Sequence, residues 1–257
     1  MIARSLAAVA AGLFMTTAAA NAATVAALIG GDTIAMVDTA QKKATGSMKI
    51  SGISGALVGI DVRPSDGLLY GVVDDGSVVT IASDGKATLK SKLETMVAKG
   101  VAVTVDFNPV ADRLRIMGAD GTNLRANVDD GKVTKDGNHK FAEGDMHKGE
   151  TPNIVAGAYT NSVKGAKETA LFNIDATIGG LIKQAPPNDG VLAAVGKLGI
   201  KPQSVAFDIW SDGSKNEAWL MAGDTLYSVD LSSGKATEAA KISGVSGKVT
   251  DIAIMGM

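Results

Sequence analysis

The sequence predicts an all-β fold, a β-propeller of five four-stranded blades, and three observations carry that prediction. A similar unit recurs roughly every 45 residues. Within each unit, apolar and polar residues alternate between Gly, Asp and Ser turns, which is the period of half-buried strands. The first unit lacks its leading strand, and a matching segment stands at the far end of the chain. There it completes the first blade and seals the ring, hiding edges that would otherwise pair between molecules.

Residues 1–22 read as an export signal. Arg4 supplies a positive start, an apolar run follows from Leu6 through Phe14 and Met15, and Ala20-Asn21-Ala22 fits a small-x-small cleavage site. The run is short for a spanning helix, and an uncleaved anchoring helix is the other reading of the same residues. Cleavage near Ala22 places the protein in the periplasm or outside the cell. Residues 23–257 then form a single propeller domain of about 235 residues, a size that all-β architectures often fold as one unit.

Each unit contains a strand, a turn and a second strand: Thr33–Asp38 to Thr45, Ser77–Ile81 to Thr88, Asn123–Asp129 to Thr134, Ala170–Asp175 to Ile182, and Thr225–Asp230 to Thr237. A further strand precedes four of them, at Val58–Val62, Val103–Phe107, Val155–Tyr159 and Val205–Ile209. Its counterpart for the first unit is Val249–Ile254. The expected blades are therefore 56–95, 101–140, 152–198 and 203–244, with a split blade combining 24–53 and 248–256. Leu89–Val97 and Leu192–Leu198 fit either a helical turn or an outer strand, and Gly179-Gly180 makes the fourth unit irregular. A β-sandwich with coincidental spacing is the competing architecture.

Composition narrows the chemistry. The chain has no cysteine, which removes disulfides, thiolate nucleophiles, iron–sulfur clusters, thiolate zinc sites and a lipid-anchoring cysteine together. Loss of the leader takes one positive charge from a formal net charge of −2, so no basic surface suits nucleic acid. Glycine is abundant at 31 residues and aromatics are few, which suits tight turns and argues against an aromatic sugar-binding face.

Four places offer chemistry. Asp61, Asp106, Asp208 and Asp251 occupy the same place in four of the five inner strands, with Ala158 in the fifth. Carboxylates converging on an axis repel unless a cation or hydrogen-bond donors intervene, so they form either a divalent metal site, with calcium the expected ion, or latches to the next blade's main chain. Arg113 and Arg115 alternate along one strand, and Asn123, Arg125 and Asn127 along the next. They suit an anionic ligand or a buried network with Asp106, Asp112 or Asp129. His139 and His147 lie between Asp136 and Glu150 with Glu143 and Asp145, as a transition-metal set or a solvated loop. Pro186-Pro187-Asn188-Asp189-Gly190 reads as a rigid turn, and Asn188 and Asp189 join the candidate ligand-binding residues at a propeller mouth.

Zinc-hydrolase, phosphate-loop and dinucleotide motifs are absent, and the Gly-x-Ser-Gly stretches at Gly52 and Gly244 are turns. The expected function is a non-enzymatic, monomeric binding propeller that takes a small molecule, a metal ion or an envelope partner at its axial channel. The alternative is a divalent-metal-dependent hydrolase or lyase built on the aspartates, whose acid and base would need pKa values driven apart.

Ile60-Asp61-Val62-Arg63-Pro64, Val105-Asp106-Phe107-Asn108-Pro109 with Val110-Ala111-Asp112-Arg113-Leu114-Arg115, Asn127-Val128-Asp129 and Gln184-Ala185-Pro186-Pro187-Asn188-Asp189-Gly190 together resemble an exported bacterial family, the domain of unknown function DUF4394. The resemblance spans nearly the whole mature chain and implies a propeller-like fold. It carries no catalytic residue with it.

Overall fold

The computed structural model describes residues 23–201 and 204–256, so the export signal expected at 1–22 lies outside the described residues. Five small sheets make up the fold. Blade one holds β1 (Thr24–Ile29), β2 (Thr33–Asp38) and β3 (Lys43–Lys49). Blade two is β4 (Leu57–Val62), β5 (Leu69–Val73), β6 (Ser77–Ile81) and β7 (Ala87–Lys92). Blade three is β8 (Val103–Asn108), β9 (Arg113–Gly118), β10 (Asn123–Ala126) and β11 (Val133–Lys135). Blade four begins with β12 (Lys140–Phe141), followed by β13 (Ile154–Tyr159), β14 (Leu171–Asp175), β15 (Gly180–Gln184) and β16 (Val191–Lys197). Blade five is β17 (Val205–Ser211), β18 (Asn216–Ala222), β19 (Thr225–Val229) and β20 (Ala236–Lys241). The last strand, β21 (Val249–Gly256), returns to blade one and pairs antiparallel with β1, giving the order β21-β1-β2-β3.

The inner strands follow one another around the axis as β21, β4, β8, β13 and β17, and β17 meets β21 again, so the ring is closed. This is a five-bladed β-propeller. The two ambiguous segments are outer strands: β7 covers 87–92 and β16 covers 191–197. Blade four departs from the others at its outer edge, where β12 adds a parallel fifth strand to β16 and covers an edge that would otherwise be free. The one helical element among the described residues is a 3₁₀ turn at Pro187–Asp189. No helix among them is long and apolar enough to cross a membrane.

Each blade has two faces, and alternation turns half of every strand toward each neighbour. The apolar core therefore lies between blades. Val25 and Val37 of blade one meet Met221 and Leu226 of blade five, and Leu28 and Ile34 meet Ile60 and Val79 of blade two. Tyr70 and Val72 of blade two meet Phe107 and Ile116 of blade three, with the Tyr70 and Phe107 rings edge to face at 5.2 Å. Phe172 and Leu181 of blade four meet Phe207 and Leu220 of blade five. The interface between blades three and four is different. Among the described residues its apolar cluster holds only Met117, Tyr159 and Leu171, and polar side chains fill the remainder.

Candidate functional site

Four buried aspartates tie the ring together near the axis. Asp61 Oδ2 accepts the Phe107 N–H at 2.6 Å, joining blade two to blade three. Asp106 Oδ1 accepts the Tyr159 N–H at 2.8 Å, joining three to four. Asp208 Oδ2 accepts the Ile254 N–H at 2.7 Å, and Asp251 Oδ2 accepts the Ile60 N–H at 2.9 Å, joining five to one and one to two. An inner strand has one unpaired edge, and these carboxylates satisfy amides that the ladder leaves over. The interface from blade four to blade five has Ala158 in place of an aspartate and is closed by apolar packing.

The four aspartates are not equivalent. Reading inward from the third strand, Ser228 pairs with Trp219 and Trp219 with Asp208. In blade one the matching residue Met36 pairs with Ala26, and Ala26 with Ala253. Ala253 therefore holds the ring position, and Asp251 stands two residues earlier, one pleat along the axis. This corrects the expectation of four matched positions. Asp61, Asp106 and Asp208 alone converge, each offering a carboxylate oxygen within 4.8 Å of the others. Gly59 makes the approach of Asp251 possible, because a Cβ there would lie 2.6 Å from Val105 Cγ2 and 3.0 Å from Asp251 Oδ2.

Burial pushes the Asp61 carboxyl well above the usual range, and the Asp208 charge adds to it. Burial raises Asp106 likewise, with Asp61 and then Asp208 adding repulsion. Burial lifts Asp208 to about 6 and Asp251 well above its ordinary value. Asp61, Asp208 and Asp251 each also accept the N–H of the following residue through Oδ1. Asp106 differs: its Oδ1 holds the single amide, and its Oδ2 accepts no hydrogen bond among the described residues.

A cavity opens at each end of the axis. Where the inner strands begin, a space of about 380 Å³ is walled largely by apolar side chains, including Leu57, Val58, Val103, Val155, Val205 and Val249. Where they end, a space of about 140 Å³ is bounded by Asp61, Asp208, Trp210 and Met255 among others.

The arginine-rich stripe of blade three divides in two. Arg115, 1 % exposed, donates to Tyr159 Oη at 3.1 Å, Asn123 Oδ1 at 2.9 Å and Asn188 Oδ1 at 2.8 Å, and pairs with Asp136. Asn123 donates onward to the Gly137 and Pro187 carbonyls. Arg125 holds both oxygens of Asp136 at 2.9 and 3.0 Å. Burial pushes Asp136 up, but the hydrogen bonds from Arg125 and Arg115 outweigh it and leave its carboxyl below the usual range. The aspartate in this buried network is thus Asp136, and the cluster clamps the Pro187–Asp189 turn of blade four against blade three. Asp189 lies exposed in that turn. Arg113 donates to the Ala111 and Asp112 carbonyls and, with Arg125, Asn127 and Lys132, borders an outer cavity of about 210 Å³.

Arg63 is the residue that sequence reasoning missed. Buried at 6 % exposure, it grips Asp112 through Nε and Nη2 at 2.9 and 2.7 Å, and Asp129 through Nη1 and Nη2 at 3.1 and 2.8 Å. It rivets blade two to blade three. Arg63 holds the Asp112 carboxyl below its usual range, and Arg63 with Lys90 does the same to Asp129. Its sequence signal was its place beside Asp61 in Asp-Val-Arg-Pro.

The histidines do not come together as a metal set. His139 is buried, and neither ring nitrogen has a hydrogen-bond partner; burial and the nearby Arg115 charge hold it down at about 4. His147 Nδ1 meets Glu150 at 3.0 Å, while Asp145 accepts the N–H groups of His147 and Ala194.

Comparisons with known proteins supply a family without an activity. No curated protein matches the chain. A protein of unknown function from Bacteroides caccae has 14 % identity, with 89 % of this chain and 77 % of that one covered and a TM-score of 0.44. A structural genomics protein of unknown function from Bacteroides thetaiotaomicron has 16 % identity, 83 % and 55 % coverage and a TM-score of 0.49. The computationally designed Ika8 protein has 16 % identity, 90 % and 62 % coverage and a TM-score of 0.38. A family model matches residues 33–253, from the second strand of blade one to the strand that closes it, and the chain belongs to that family, the domain of unknown function DUF4394.

Proposed function

We propose that this protein is an exported, non-enzymatic binding propeller that takes a small, largely apolar ligand at the axial mouth where the inner strands begin. One observation carries the reading: the cavity of about 380 Å³ enclosed there by Leu57, Val58, Val103, Val155, Val205 and Val249. Small-molecule sites are concave, mostly apolar and about 300–1,000 Å³ in volume, with few polar groups to orient the ligand. Lys248 and Ser204 on the same wall supply such groups. Five blades contribute to that wall, so closure of the ring is what creates the pocket.

The hydrolase or lyase reading asks for a carboxylate free to carry a proton. Asp61, Asp208 and Asp251 each hold two main-chain amides, so Asp106 alone keeps an oxygen without one, short of the acid and base pair that catalysis needs.

The test uses an apolar dye with one anionic group, 1-anilinonaphthalene-8-sulfonate. Its fluorescence rises with the wild-type protein and falls back in Ala102→Trp, whose indole fills the mouth from an exposed position. Native mass spectrometry of the mature protein after exposure to periplasmic extract then reads the mass of a retained ligand. Equal dye fluorescence from the wild type and Ala102→Trp would overturn the proposal. Co-purification of a macromolecule on the same mouth would replace it with an envelope-partner role.

A further inference from the structure

We propose that Asp61, Asp106 and Asp208 bind one calcium ion on the propeller axis, with Thr104 holding a water of its shell. The inference does not rest on the apolar mouth, since it concerns a separate level of the axis.

Four observations support it. First, no ion pair among the described residues reaches the three carboxylates. The four arginines of residues 23–257 are committed elsewhere: Arg63 to Asp112 and Asp129, Arg115 and Arg125 to Asp136, and Arg113 to main-chain carbonyls. Buried charges are paired, neutralised by protons or bound to metal, and here the first course is closed. Second, Asp106 Oδ2 accepts no hydrogen bond, so one oxygen of the cluster is wholly available to a ligand. The other carboxylates keep lone pairs beyond those facing their amides.

Third, Thr104 precedes Asp106 by two residues on β8 and shares its face. It is 3 % exposed, and its Oγ1 has no hydrogen-bond partner. A buried hydroxyl without a partner destabilises the fold, and a metal-bound water one pleat away satisfies it. Fourth, the cavity bounded by Asp61 and Asp208 opens a path from the nearer mouth to the cluster. Ala158 and Ala253 at the other two ring positions leave room for water around an ion.

Coordination chemistry selects the ion. The three oxygens lie within 4.8 Å of one another, a spread that a flexible calcium shell with Ca–O of about 2.3–2.6 Å accommodates, whereas magnesium demands a near-ideal octahedron at about 2.0–2.1 Å. Hard oxygen donors with waters completing the shell also suit calcium, whereas no imidazole or thiolate is present to favour a softer metal.

The experiment titrates chelator-stripped protein with CaCl₂ and with MgCl₂ by calorimetry and counts bound ions by native mass spectrometry. One calcium ion per chain with a dissociation constant below about 1 mM is expected, and weaker magnesium binding. Asp106→Asn keeps the acceptor for Tyr159 and removes the available oxygen, so it weakens calcium at least ten-fold. Thr104→Val, which leaves all three carboxylates in place, weakens it a few-fold. Terbium substituted for calcium emits when Trp210, on the wall of the same cavity, is excited, and calcium abolishes the emission. That readout serves on the wild type should a variant fail to fold. No calcium bound up to about 10 mM, tighter magnesium than calcium, or affinity unchanged in both variants would overturn the proposal.

Discussion

Replacing Asp106 by Asn makes the metal-free protein more stable at neutral pH, an unusual outcome for a buried charged residue. Two carboxylate charges within 4.8 Å of each other repel by about 3.5 kcal/mol or more at an effective dielectric of about 20, and Asp106 faces both Asp61 and Asp208. Partial protonation reduces this, leaving a relief on the order of 2–4 kcal/mol. The Tyr159 latch survives, because the Asn carbonyl replaces Oδ1, and the new NH₂ takes the place of an oxygen with no donor against it. Asp61→Asn and Asp208→Asn behave oppositely. Both of their oxygens accept amides, so the NH₂ would confront a main-chain N–H at a cost of about 1–3 kcal/mol. The assay is urea unfolding in chelator at about pH 7.5 and about pH 4.5. The folded Asp106 carboxyl titrates well above the unfolded one, so the wild type holds its full stability below the unfolded pKa and loses it as pH rises through the folded pKa. The gain of Asp106→Asn is therefore large at the higher pH and small at the lower. A variant less stable than the wild type at neutral pH, or a difference independent of pH, would refute the repulsion argument.

The remaining predictions concern the ring and its rivets. The chelated wild type melts higher near pH 5.5 than near pH 7.5. Burial lifts Asp208 from 3.8 to about 6, so of the roughly 3 kcal/mol that its ionisation costs the native state in all, about 1 kcal/mol falls between these two pH values; a melting temperature that rises over this range would contradict it. Further acidification reverses the trend, because Arg63 holds Asp112 and Asp129 below their ordinary range and their contribution is lost as pH falls through the folded values. Arg115→Met costs about 1–3 kcal/mol in urea unfolding by leaving the buried Asn123 Oδ1 without its donor and Asp136 with Arg125 alone, whereas Arg113→Met changes stability by about 0.5 kcal/mol or less. Equal losses would mean that the buried network is not what joins blades three and four.

Much of the ring was legible because propeller blades repeat one pattern. The five inner segments stood out through alternation, and the displaced Val249–Ile254 segment announced closure before any contact was known. What misled was local resemblance. Thr250-Asp251-Ile252 looks like Val105-Asp106-Phe107, yet the ladder from Met36 through Ala26 fixes Ala253 at the ring position. A one-pleat shift preserves which face a residue occupies, so alternation cannot detect it. Long-range pairing hid the rest. Asp112 and Asp129 are 49 and 66 residues from Arg63, and Asn188 is 73 from Arg115; only the packing of neighbouring blades brings them together. The arginine stripe was visible, but nothing in sequence chose Asp136 over Asp106, Asp112 or Asp129 as its anchor.

Amide hydrogen exchange resolved by NMR puts the closed ring to its most direct test. The N–H groups of Ile60, Phe107, Tyr159 and Ile254 lie on inner strands, where only an aspartate of the preceding blade protects them. They are expected to exchange as slowly as the ladder amides of the same strands, opening only with global unfolding. Exchange at the rate of a free sheet edge, with the neighbouring ladder amides still protected, would contradict the aspartate latches and the closed ring built on them.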